Sequence, residues 1–596
     1  MGSLQIINPY QMRLIFLSLL VLLSIGEIDA QIDEIKVVND EYKPYLYASS
    51  EDLEWFINAK FGAFVHWGPY ALAEVPASWG RFGPRPFAGK QANSGVPELE
   101  YDNLYKNFNP INFNADEWIK MVKQSGAKYF IFTTKHHDGF CMFDAHNTDY
   151  KITNTPFGRD IAKEIADACH KYEIKLFWYY SQPDWHHPDC KTENHERYKE
   201  YMYEHLEQLC TEYGKIDCLW FDNLGAEWTD WDTPKMVKLI REWQPGILIN
   251  RRWGHGMPGI SHQGDFETPE QQIGVFKIDH PWETCATIAE AWSWTGAKKV
   301  KTYRTNQRLL IQCAGSGGNL ALNTGPTPGG LIHPPEKEIY LKIGKWLENY
   351  GESIYNTKGG PYKPGPWGVS SCHYNKIYLH ILCEFATNTV ARVVLPELPN
   401  SIVSAKLLTS DKKVRISNMD GNLEIVLPEE GLNTLDNIVE LTIQGNAEDI
   451  LPIETVDDKK IIHVQTGDAS SSSNEKNSPK AMFVEGEGDF DQGIKHKTWW
   501  APEKSDKDLW LSVEFEKEHV INYVSLAEQI RNCAIRKFII ESESDGKWIE
   551  LYEGTEIGMD FSVQFPETKT KKLRLRVLKM ADDDVPNISK FNAFNL

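Results

Sequence analysis

Residues 215–223 read KIDCLWFDN, a short apolar run that ends in a carboxylate and an amide. A run this short and this apolar, preceded by Tyr213-Gly214 and followed by Leu224-Gly225, predicts a strand that is buried on both faces. Its last acidic residue, Asp222, would lie at the carboxyl edge of a parallel sheet, where α/β barrels collect their catalytic side chains. The alternative is that Asp222 only caps the next turn or helix. The run therefore predicts an α/β core and one catalytic candidate.

Similar runs alternate with helical patterns from about residue 50 to residue 350. The strand-like runs are 61–68, 127–136, 174–181 and 246–253. Asn114 and Asp160 are candidate N-caps of two of the intervening helices. This alternation predicts a (β/α)8-like barrel over 31–355, with its polar residues on the catalytic rim. A doubly wound open sheet is the main alternative, but no GxGxxG motif opens any of the helices.

The apolar pattern changes after residue 351 to the alternation typical of strands. Runs at 377–382, 391–395, 422–427 and 438–443 predict a β-sandwich over 356–447. A polar stretch at 469–477 leads into further strand-like runs at 510–515, 521–526 and 573–577. The order of these blocks within 448–596 is similar to the discoidin (coagulation factor type C) family. That resemblance implies an all-β jelly roll that often binds carbohydrate.

The amino terminus carries a compartment signal. Residues 14–25 read LIFLSLLVLLSI, follow Met12-Arg13 and lead to a small residue, Ala30. This predicts a cleaved secretory signal peptide over 1–30, with an uncleaved anchor as the alternative. No later segment is apolar enough to cross a membrane. We therefore expect an exported protein, whether periplasmic, extracellular or lysosomal, without membrane contact after cleavage.

Net charge and cysteine content indicate which partners and which bonds are expected. The formal net charge of −21 argues against nucleic acid or an anionic membrane as a partner, because both require basic surfaces. The ten cysteines form no CxxC pair and no zinc spacing. Buried free thiols are therefore expected, with a Cys372 to Cys383 disulfide as the alternative. The sequence carries no signal for an oligomeric state.

Polar groups follow several of the predicted strands. They are His66, the pair His136-His137, Asp222, and the carboxylates Glu267 and Glu270. A second carboxylate one strand-and-helix unit after the first is what glycoside hydrolysis needs, because one attacks the sugar while the other delivers a proton. Aromatic residues make up 12% of the chain, which suits the stacking of sugar rings. Adjacent residues of a strand point to opposite faces, so His136 and His137 are not expected to bind one metal ion together. We also expect no cofactor.

Seven motifs, taken together, resemble one family. They read FVHWG at 64–68, KHHDGF at 135–140, YYS at 179–181, LWFD at 219–222, NRRWG at 250–254, ETPE at 267–270 and GGNLALN at 317–323. In this order they look like the α-L-fucosidases of glycoside hydrolase family 29, over roughly 31–447. The resemblance implies hydrolysis of terminal α-linked L-fucose from fucosylated glycans, with retention of configuration through a covalent fucosyl-enzyme.

The same resemblance implies roles for individual residues. Asp222 matches the nucleophile, and Glu270 is preferred over Glu267 as the acid/base. The residues that match ligands of the sugar hydroxyls or of the nucleophile are His66, His136, His137, Tyr180 and Arg252. Three indoles, Trp79, Trp220 and Trp294, would wall the pocket around the methyl group of fucose. Ser78 stands where the family often has a glutamate.

Two other functions remain open from the sequence alone. One is another glycosidase on the same barrel, such as a galactosidase, whose pocket would accept a hydroxymethyl group where fucose has a methyl. The other is a lectin-like protein in which the C-terminal domain binds glycans and the barrel is inert.

Overall fold

The computed structural model describes residues 38–89, 94–260, 262–273, 275–296, 299–410, 412–456, 460–472, 475–480, 485–488, 495–497, 499–529, 533–581 and 584–596. The predicted signal peptide at 1–30 lies outside these residues. Across the described ranges, no helix combines the length and the apolar character needed to cross a membrane.

Seven parallel strands form the first sheet, and most of them coincide with the predicted runs. They are β1 (Phe61–Val65), β2 (Tyr129–Lys135), β3 (Lys175–Ser181), β4 (Cys218–Asp222), β5 (Leu248–Ile249), β6 (Glu283–Thr287) and β7 (Asn319–Thr324). Their order across the sheet is β5-β4-β3-β2-β1-β7-β6. Asp222 is the last residue of β4, so the opening motif ends at the carboxyl edge as the apolar run predicts.

An extended segment at 265–271 closes this sheet into a barrel between β5 and β6. On one side the Asp265 amide donates to the Ile249 carbonyl at 2.8 Å, and on the other the Glu283 amide donates to the Glu267 carbonyl at 2.8 Å. Glu270 forms a parallel bridge to β6. The segment fills the eighth position of the ring, so the (β/α)8-like prediction is confirmed and the open sheet is excluded.

Helices cover the outside of the barrel. They are α1 (Ser50–Ala59), α2 (Ala115–Gln124), α3 (Ile161–Tyr172), α4 (His195–Thr211), α5 (Thr233–Trp243), α6 (Tyr303–Gly315) and α7 (Pro334–Tyr350). Asn114 and Asp160 cap α2 and α3 through their side-chain oxygens, as predicted. Two apolar layers result, one between the strands and these helices and one inside the barrel.

The strands divide their side chains between these two layers by strict alternation. In β3, Phe177 and Tyr179 belong to the interior cluster, whereas Trp178 and Tyr180 belong to the layer under the helices. In β4, Trp220 is an interior residue, so Asp222, two positions later, points to the same side. This alternation of side chains decides which of them can reach a site on the barrel axis.

A β-sandwich follows the barrel. Its strands are β8 (Lys358–Gly359), β9 (Gly368–His373), β10 (Lys376–Ile381), β11 (Glu384–Phe385), β12 (Arg392–Pro396), β13 (Ile402–Leu407), β14 (Arg415–Met419), β15 (Asn422–Val426) and β16 (Asn437–Ile443). Five of them pair in the order β8-β9-β10-β16-β13, and three in the order β12-β15-β14. The two sheets share one apolar core.

The C-terminal domain is all-β, as predicted. A separate antiparallel pair, Glu485–Gly488 with Lys495–Lys497, accompanies the main sheet, whose strands are β17 (Ile461–Ile462), β18 (Val464–Ala469), β19 (Leu509–Glu528), β20 (Ile535–Ser544), β21 (Lys547–Gly554), β22 (Phe561–Met580) and β23 (Ile588–Phe594). They form a sheet in the order β17-β23-β19-β22-β20-β21, and β18 pairs with β19. Strand β11 of the preceding domain pairs in parallel with β22, so the two all-β domains share backbone hydrogen bonds.

The cysteines, all of which lie in described residues, are buried and free. This confirms the expectation of buried thiols. Cys372 and Cys383 do not form the alternative disulfide.

The C-terminal domain also packs against helix α6 of the barrel through a buried arginine. Arg308 is 5% exposed. Its guanidinium donates to the carbonyl oxygens of Leu382, Thr434, Leu435 and Asp560, at 2.6 to 3.2 Å. These acceptors come from both all-β domains, so one side chain joins all three domains.

Replacing this arginine is expected to loosen the assembly. The Arg308→Met variant would leave several buried carbonyl groups without a donor, and each such group costs about 1 to 3 kcal/mol. We expect the free energy of unfolding to fall by about 2 to 4 kcal/mol, measured as a lower urea midpoint. Arg415→Met, at an exposed site, is the matched control. An equal midpoint in the two variants would contradict the prediction.

Candidate active site

A cavity of about 980 Å³ opens at the carboxyl end of the barrel strands. It collects side chains that are far apart in the sequence, because parallel strands bring their carboxyl ends to one rim. Eight predicted site residues line it: His66, Trp79, His136, His137, Trp220, Asp222, Arg252 and Glu270. Tyr180 and Trp294 do not line it.

Asp222 lies at the floor of this cavity among three polar partners. The Tyr179 hydroxyl donates to Asp222 Oδ2 at 2.8 Å, and Arg252 Nη1 donates to Oδ1 at 3.1 Å. His137 Nε2 lies 3.5 Å from Oδ2. Burial raises the pKa of Asp222, but Arg252 and the Tyr179 hydrogen bond oppose this, and the net pKa is lowered. Asp222 is therefore held as a carboxylate.

Arg252 connects Asp222 to a second carboxylate. Its Nη2 donates to Glu270 Oε2 at 3.3 Å, and its Nε donates to the Thr268 hydroxyl at 3.0 Å. The guanidinium also lies over the Trp220 ring, 5.0 Å from the centroid. Because one guanidinium contacts both carboxylates, Asp222 and Glu270 lie within the reach of a single side chain.

The alternative carboxylate, Glu267, lies outside the cavity. Its Oε1 pairs with the Lys277 ammonium at 2.8 Å. The two glutamates stand three positions apart in the extended segment. Glu267 pairs with Trp282, whereas Glu270 pairs with Cys285, nearer the rim. Of these two glutamates, only Glu270 lines the cavity beside Asp222.

The three predicted histidines are buried and uncharged at neutral pH. Burial lowers the pKa of His66 and of His137 to about 4, and lowers that of His136 well below its usual value. The Nδ1 atom of His66 contacts Asn323 Oδ1 at 2.7 Å, and Ser78 Oγ contacts Nδ1 of His136. Ser78 therefore orients a site histidine.

The protonation of His137 follows from its partner. Ser181 Oγ donates to the Pro183 carbonyl at 2.8 Å, so it accepts from Nδ1 of His137, 2.6 Å away. The Nε2 atom of His137 then carries a lone pair beside the Asp222 carboxylate. A ligand hydroxyl can donate its one hydrogen either to Nε2 of His137 or to a carboxylate oxygen of Asp222.

The expectation that His136 and His137 diverge is wrong. Strand β2 ends at Lys135, so the two histidines follow the strand and its alternation does not apply to them. Ligand atoms of His136, His137 and Asp222 all lie within 4.8 Å of one another. These three side chains are the ones in the described structure that could hold a metal ion.

Tyr179, and not the predicted Tyr180, is the tyrosine that lies in the site. The Tyr180 hydroxyl contacts His205 Nδ1 at 3.0 Å, in the layer under the helices. Tyr179 faces the barrel interior, stacks on Trp220 at 5.6 Å and reaches Asp222. The sequence YYS is compatible with either parity, because both faces of a barrel strand are apolar.

The tyrosine pair provides an internal test of the site. Removing the hydroxyl in Tyr179→Phe deletes a hydrogen bond to a charged group, worth about 1.5 to 3 kcal/mol, so we expect kcat/KM to fall roughly 10- to 100-fold. The loss also raises the pKa of Asp222, and the acid limb of the pH profile of kcat/KM should move to higher pH.

Tyr180→Phe is the matched control for this variant, since it removes the same atom from the next residue. It should leave both kcat/KM and the acid limb close to wild type. Similar pH profiles for the two variants would contradict the contact between Tyr179 and Asp222.

Trp292, and not the predicted Trp294, lies in the cavity wall. Trp292 lines the cavity, with its ring 4.9 Å from that of His66, and its carbonyl accepts from the Asn323 amide at 2.7 Å. Trp294 instead packs against His333 at 5.3 Å. Trp79 lies at the mouth of the cavity and is 43% exposed.

A buried glutamate that the sequence analysis did not select supports the floor of the cavity. Glu283 accepts from Trp220 Nε1 at 3.0 Å and from the Tyr129 hydroxyl at 2.5 Å. Burial raises the pKa of Glu283 to about 7. Glu283 is the first residue of β6, a strand with two threonines that the sequence analysis did not predict, so no local pattern singled it out. Glu227 and Glu290 also line the cavity without having been predicted.

Comparison with protein families gives two matches along the chain. Residues 31–352 match the family model described as alpha-L-fucosidase, and residues 467–591 match the F5/8 type C domain. The chain is also similar to the tissue alpha-L-fucosidase of Mus musculus, with 31% identity over 62% of this chain and 84% of that protein.

Solved structures give the same result. Alpha-L-fucosidase isoenzyme 1 from Paenibacillus thiaminolyticus has 33% identity and a TM-score of 0.59, over 66% of this chain and 99% of the other. A family 29 alpha-L-fucosidase from Bacteroides thetaiotaomicron has 25% identity and a TM-score of 0.59, over 69% and 99%. That structure is a trapped covalent intermediate of a glutamate-to-glutamine mutant in complex with 2-fluoro-fucosyl fluoride.

Proposed function

The chain belongs to the alpha-L-fucosidase family of glycoside hydrolases, and from that premise we propose that it is a retaining exo-α-L-fucosidase with Asp222 as nucleophile and Glu270 as acid/base. The observation that carries this proposal is the pair of carboxylates on either side of Arg252 at the floor of the cavity. A retaining glycosidase needs such a pair, because one carboxylate attacks the sugar while the other protonates the leaving oxygen.

The first step would form a covalent fucosyl-enzyme. Asp222 Oδ attacks the anomeric carbon of the α-fucoside while the bond to the leaving oxygen breaks, and Glu270 gives its proton to that oxygen. The lowered pKa of Asp222 keeps the attacking group ionised. The product of this step is a β-linked ester of fucose on Asp222.

The second step would release fucose. Glu270, now a carboxylate, takes a proton from a water molecule, and the water oxygen attacks the anomeric carbon and displaces the Asp222 carboxylate. Two inversions give an α-configured product. Arg252 contacts both acids, so it is placed to balance the negative charge that moves between them.

Uncharged side chains around these acids would bind the sugar itself. His66, His136 and His137 are neutral by burial and offer imidazole nitrogens to hydroxyl groups. Trp220, Trp292 and Phe64 line the same cavity. Their apolar faces suit the methyl group of fucose, and this contact would favour fucose over a sugar with a polar hydroxymethyl group.

The Bacteroides thetaiotaomicron structure supports the covalent route. A trapped covalent intermediate requires a nucleophile on that protein, and a glutamate-to-glutamine change that preserves it is consistent with an acid/base glutamate. The F5/8 type C match supports fucosylated glycans or glycoconjugates as substrates, with the C-terminal domain as a carbohydrate-binding module. Export through the signal peptide remains part of the proposal.

Hydrolysis of an aryl α-L-fucoside, run beside the α-L-galactoside that carries a hydroxymethyl group in place of the methyl, tests the proposal. Turnover of the fucoside with α-fucose as the first-formed product, followed by NMR, would support it. Turnover of the galactoside alone would favour the galactosidase alternative. Wild type that hydrolyses neither substrate, but binds on a glycan array, would favour the lectin-like alternative.

A further inference from the structure

The loops on either side of Glu270 bring two more carboxylates to the mouth of the cavity. Glu227 follows β4 and Glu290 follows β6, and the segment that carries Glu270 lies between β5 and β6 in the ring. Both glutamates line the same cavity as Asp222 and Glu270. Because Glu270 would protonate the leaving oxygen, the leaving group must lie beside it, between these two loops.

Glu290 is available to a ligand. It precedes Trp292 by two residues, and the hydrogen bond between the Asn323 amide and the Trp292 carbonyl fixes the position of this loop. The Glu290 side chain is partly buried. It forms no hydrogen bond or ion pair with any residue that the structure describes. A partly buried carboxylate without such a partner is stabilised by a hydroxyl or cationic group that enters the cavity and hydrogen-bonds to it.

The backbone on either side of the exposed Glu227 is held by the neighbouring loop. The Trp228 amide donates to the His255 carbonyl at 2.8 Å, and the His255 amide donates to the Ala226 carbonyl at 2.9 Å. Glu227 Oε2 lies 2.5 Å from the point where a β-carbon on Gly256 would be. The glycine therefore makes room for this carboxylate at the rim.

Charge is unevenly distributed around the cavity. Four acids line it, Asp222, Glu227, Glu270 and Glu290, and among the described lining residues Arg252 is the one lysine or arginine. Two further cations lie over aromatic rings of the cavity lining. They are Arg85, 5.2 Å from the Trp79 ring, and Lys191, 4.3 Å from the Phe87 ring. Three of the four acids, Glu227, Glu270 and Glu290, belong to the segments around the leaving group, so that side of the cavity is acidic.

We propose that Glu227 and Glu290 form a leaving-group subsite that accepts uncharged or cationic aglycones and rejects anionic ones, such as sulfated or carboxylated saccharides. The hydroxyl groups of a neutral sugar donate to the two carboxylates. A cleft with low-dielectric walls concentrates the field of these charges, so an anion entering it is repelled more strongly than on an open surface. This inference rests on the proposed fucosidase function and defines its substrate class.

Three aryl α-L-fucosides test the subsite. Their leaving rings carry a neutral methyl sulfone, an anionic sulfonate or a cationic trimethylammonium group, and kcat/KM is measured at low ionic strength. For each charged substrate, kcat/KM is divided by kcat/KM of the neutral substrate. Comparing this ratio between variants cancels the intrinsic reactivity of the substrates. In the double variant Glu227→Gln, Glu290→Gln we expect the neutral-to-anionic ratio to fall by about three- to tenfold per removed charge. The cationic-to-neutral ratio should fall as well.

Glu207→Gln is the matched control, because it removes the same charge from an exposed position on helix α4. It should leave both ratios close to wild type. Equal ratios in the control and the double variant would overturn the subsite. The substrate α-L-fucosyl fluoride, whose leaving group has no ring, distinguishes failure of the fucosidase proposal from failure of the subsite proposal. If wild type does not hydrolyse it, the fucosidase proposal falls together with the subsite. If wild type hydrolyses it and the double variant still discriminates as wild type does, only the subsite falls.

Discussion

Asp222→Ala is expected to lose at least about 10⁴-fold in kcat on an aryl α-L-fucoside, because no other group is placed to form the glycosyl ester. Asp222 is held ionised by Arg252 and Tyr179 at the cavity floor, and neither of these partners is a nucleophile in its protonated form. The residual rate would report what binding and Glu270 achieve without covalent catalysis.

Rescue by azide makes this prediction specific. In the space left by the side chain, azide should attack the anomeric carbon directly, so the carbon inverts once and the product is β-L-fucosyl azide. Proton NMR of the product distinguishes this from the α-anomer. An α-azide, or activity near that of wild type, would remove Asp222 from the nucleophile role.

The other end of the same strand supplies a control. Asp217 precedes β4 and binds the Lys175 ammonium at 2.9 Å and the Leu176 amide at 3.0 Å, at the amino-terminal face of the barrel. Residues at that face contribute to stability and not to chemistry. Asp217→Asn should therefore lower the unfolding midpoint while kcat stays close to wild type, the reverse of the result expected for Asp222→Asn.

Much of the barrel could be predicted from local patterns. The apolar run that ends at Asp222, and the helix caps at Asn114 and Asp160, depend on interactions within a few residues, and the structure contains all three. The extended segment at 265–271 was not predicted as the eighth position. It joins its neighbours through isolated bridges and lacks the continuous apolar run of a regular strand.

The choices between neighbouring side chains could not be made from the sequence. Tyr179 and Tyr180 differ in which side of β3 they occupy, and both sides are buried. The register of β3 against β4 places Tyr179 opposite Trp220, and that pairing is a property of the assembled sheet. The choice between Trp292 and Trp294 also depends on the assembled fold, because the Trp292 carbonyl is held by the Asn323 side chain on β7, 31 residues away.

Glu270→Ala is expected to lose about 10²- to 10⁴-fold in activity on substrates with poor leaving groups, the range that general acid catalysis supplies. The loss should shrink as the leaving group becomes more acidic, since a good leaving group departs without a proton. A series of aryl α-L-fucosides of graded acidity measures this dependence. The basic limb of the pH profile should also disappear, because it reports the loss of the proton that Glu270 delivers.

Azide separates Glu270 from Asp222 by the stereochemistry of the product. With Asp222 intact, azide replaces water in the second step, so two inversions give α-L-fucosyl azide and turnover rises with azide concentration. Glu267→Ala is the control, because Glu267 lies in the same segment but pairs with Lys277 outside the cavity. It should keep nearly full activity and show no rescue. If Glu267→Ala gave the azide product and Glu270→Ala did not, the proton would come from Glu267, and the Arg252 contact with Glu270 would be structural.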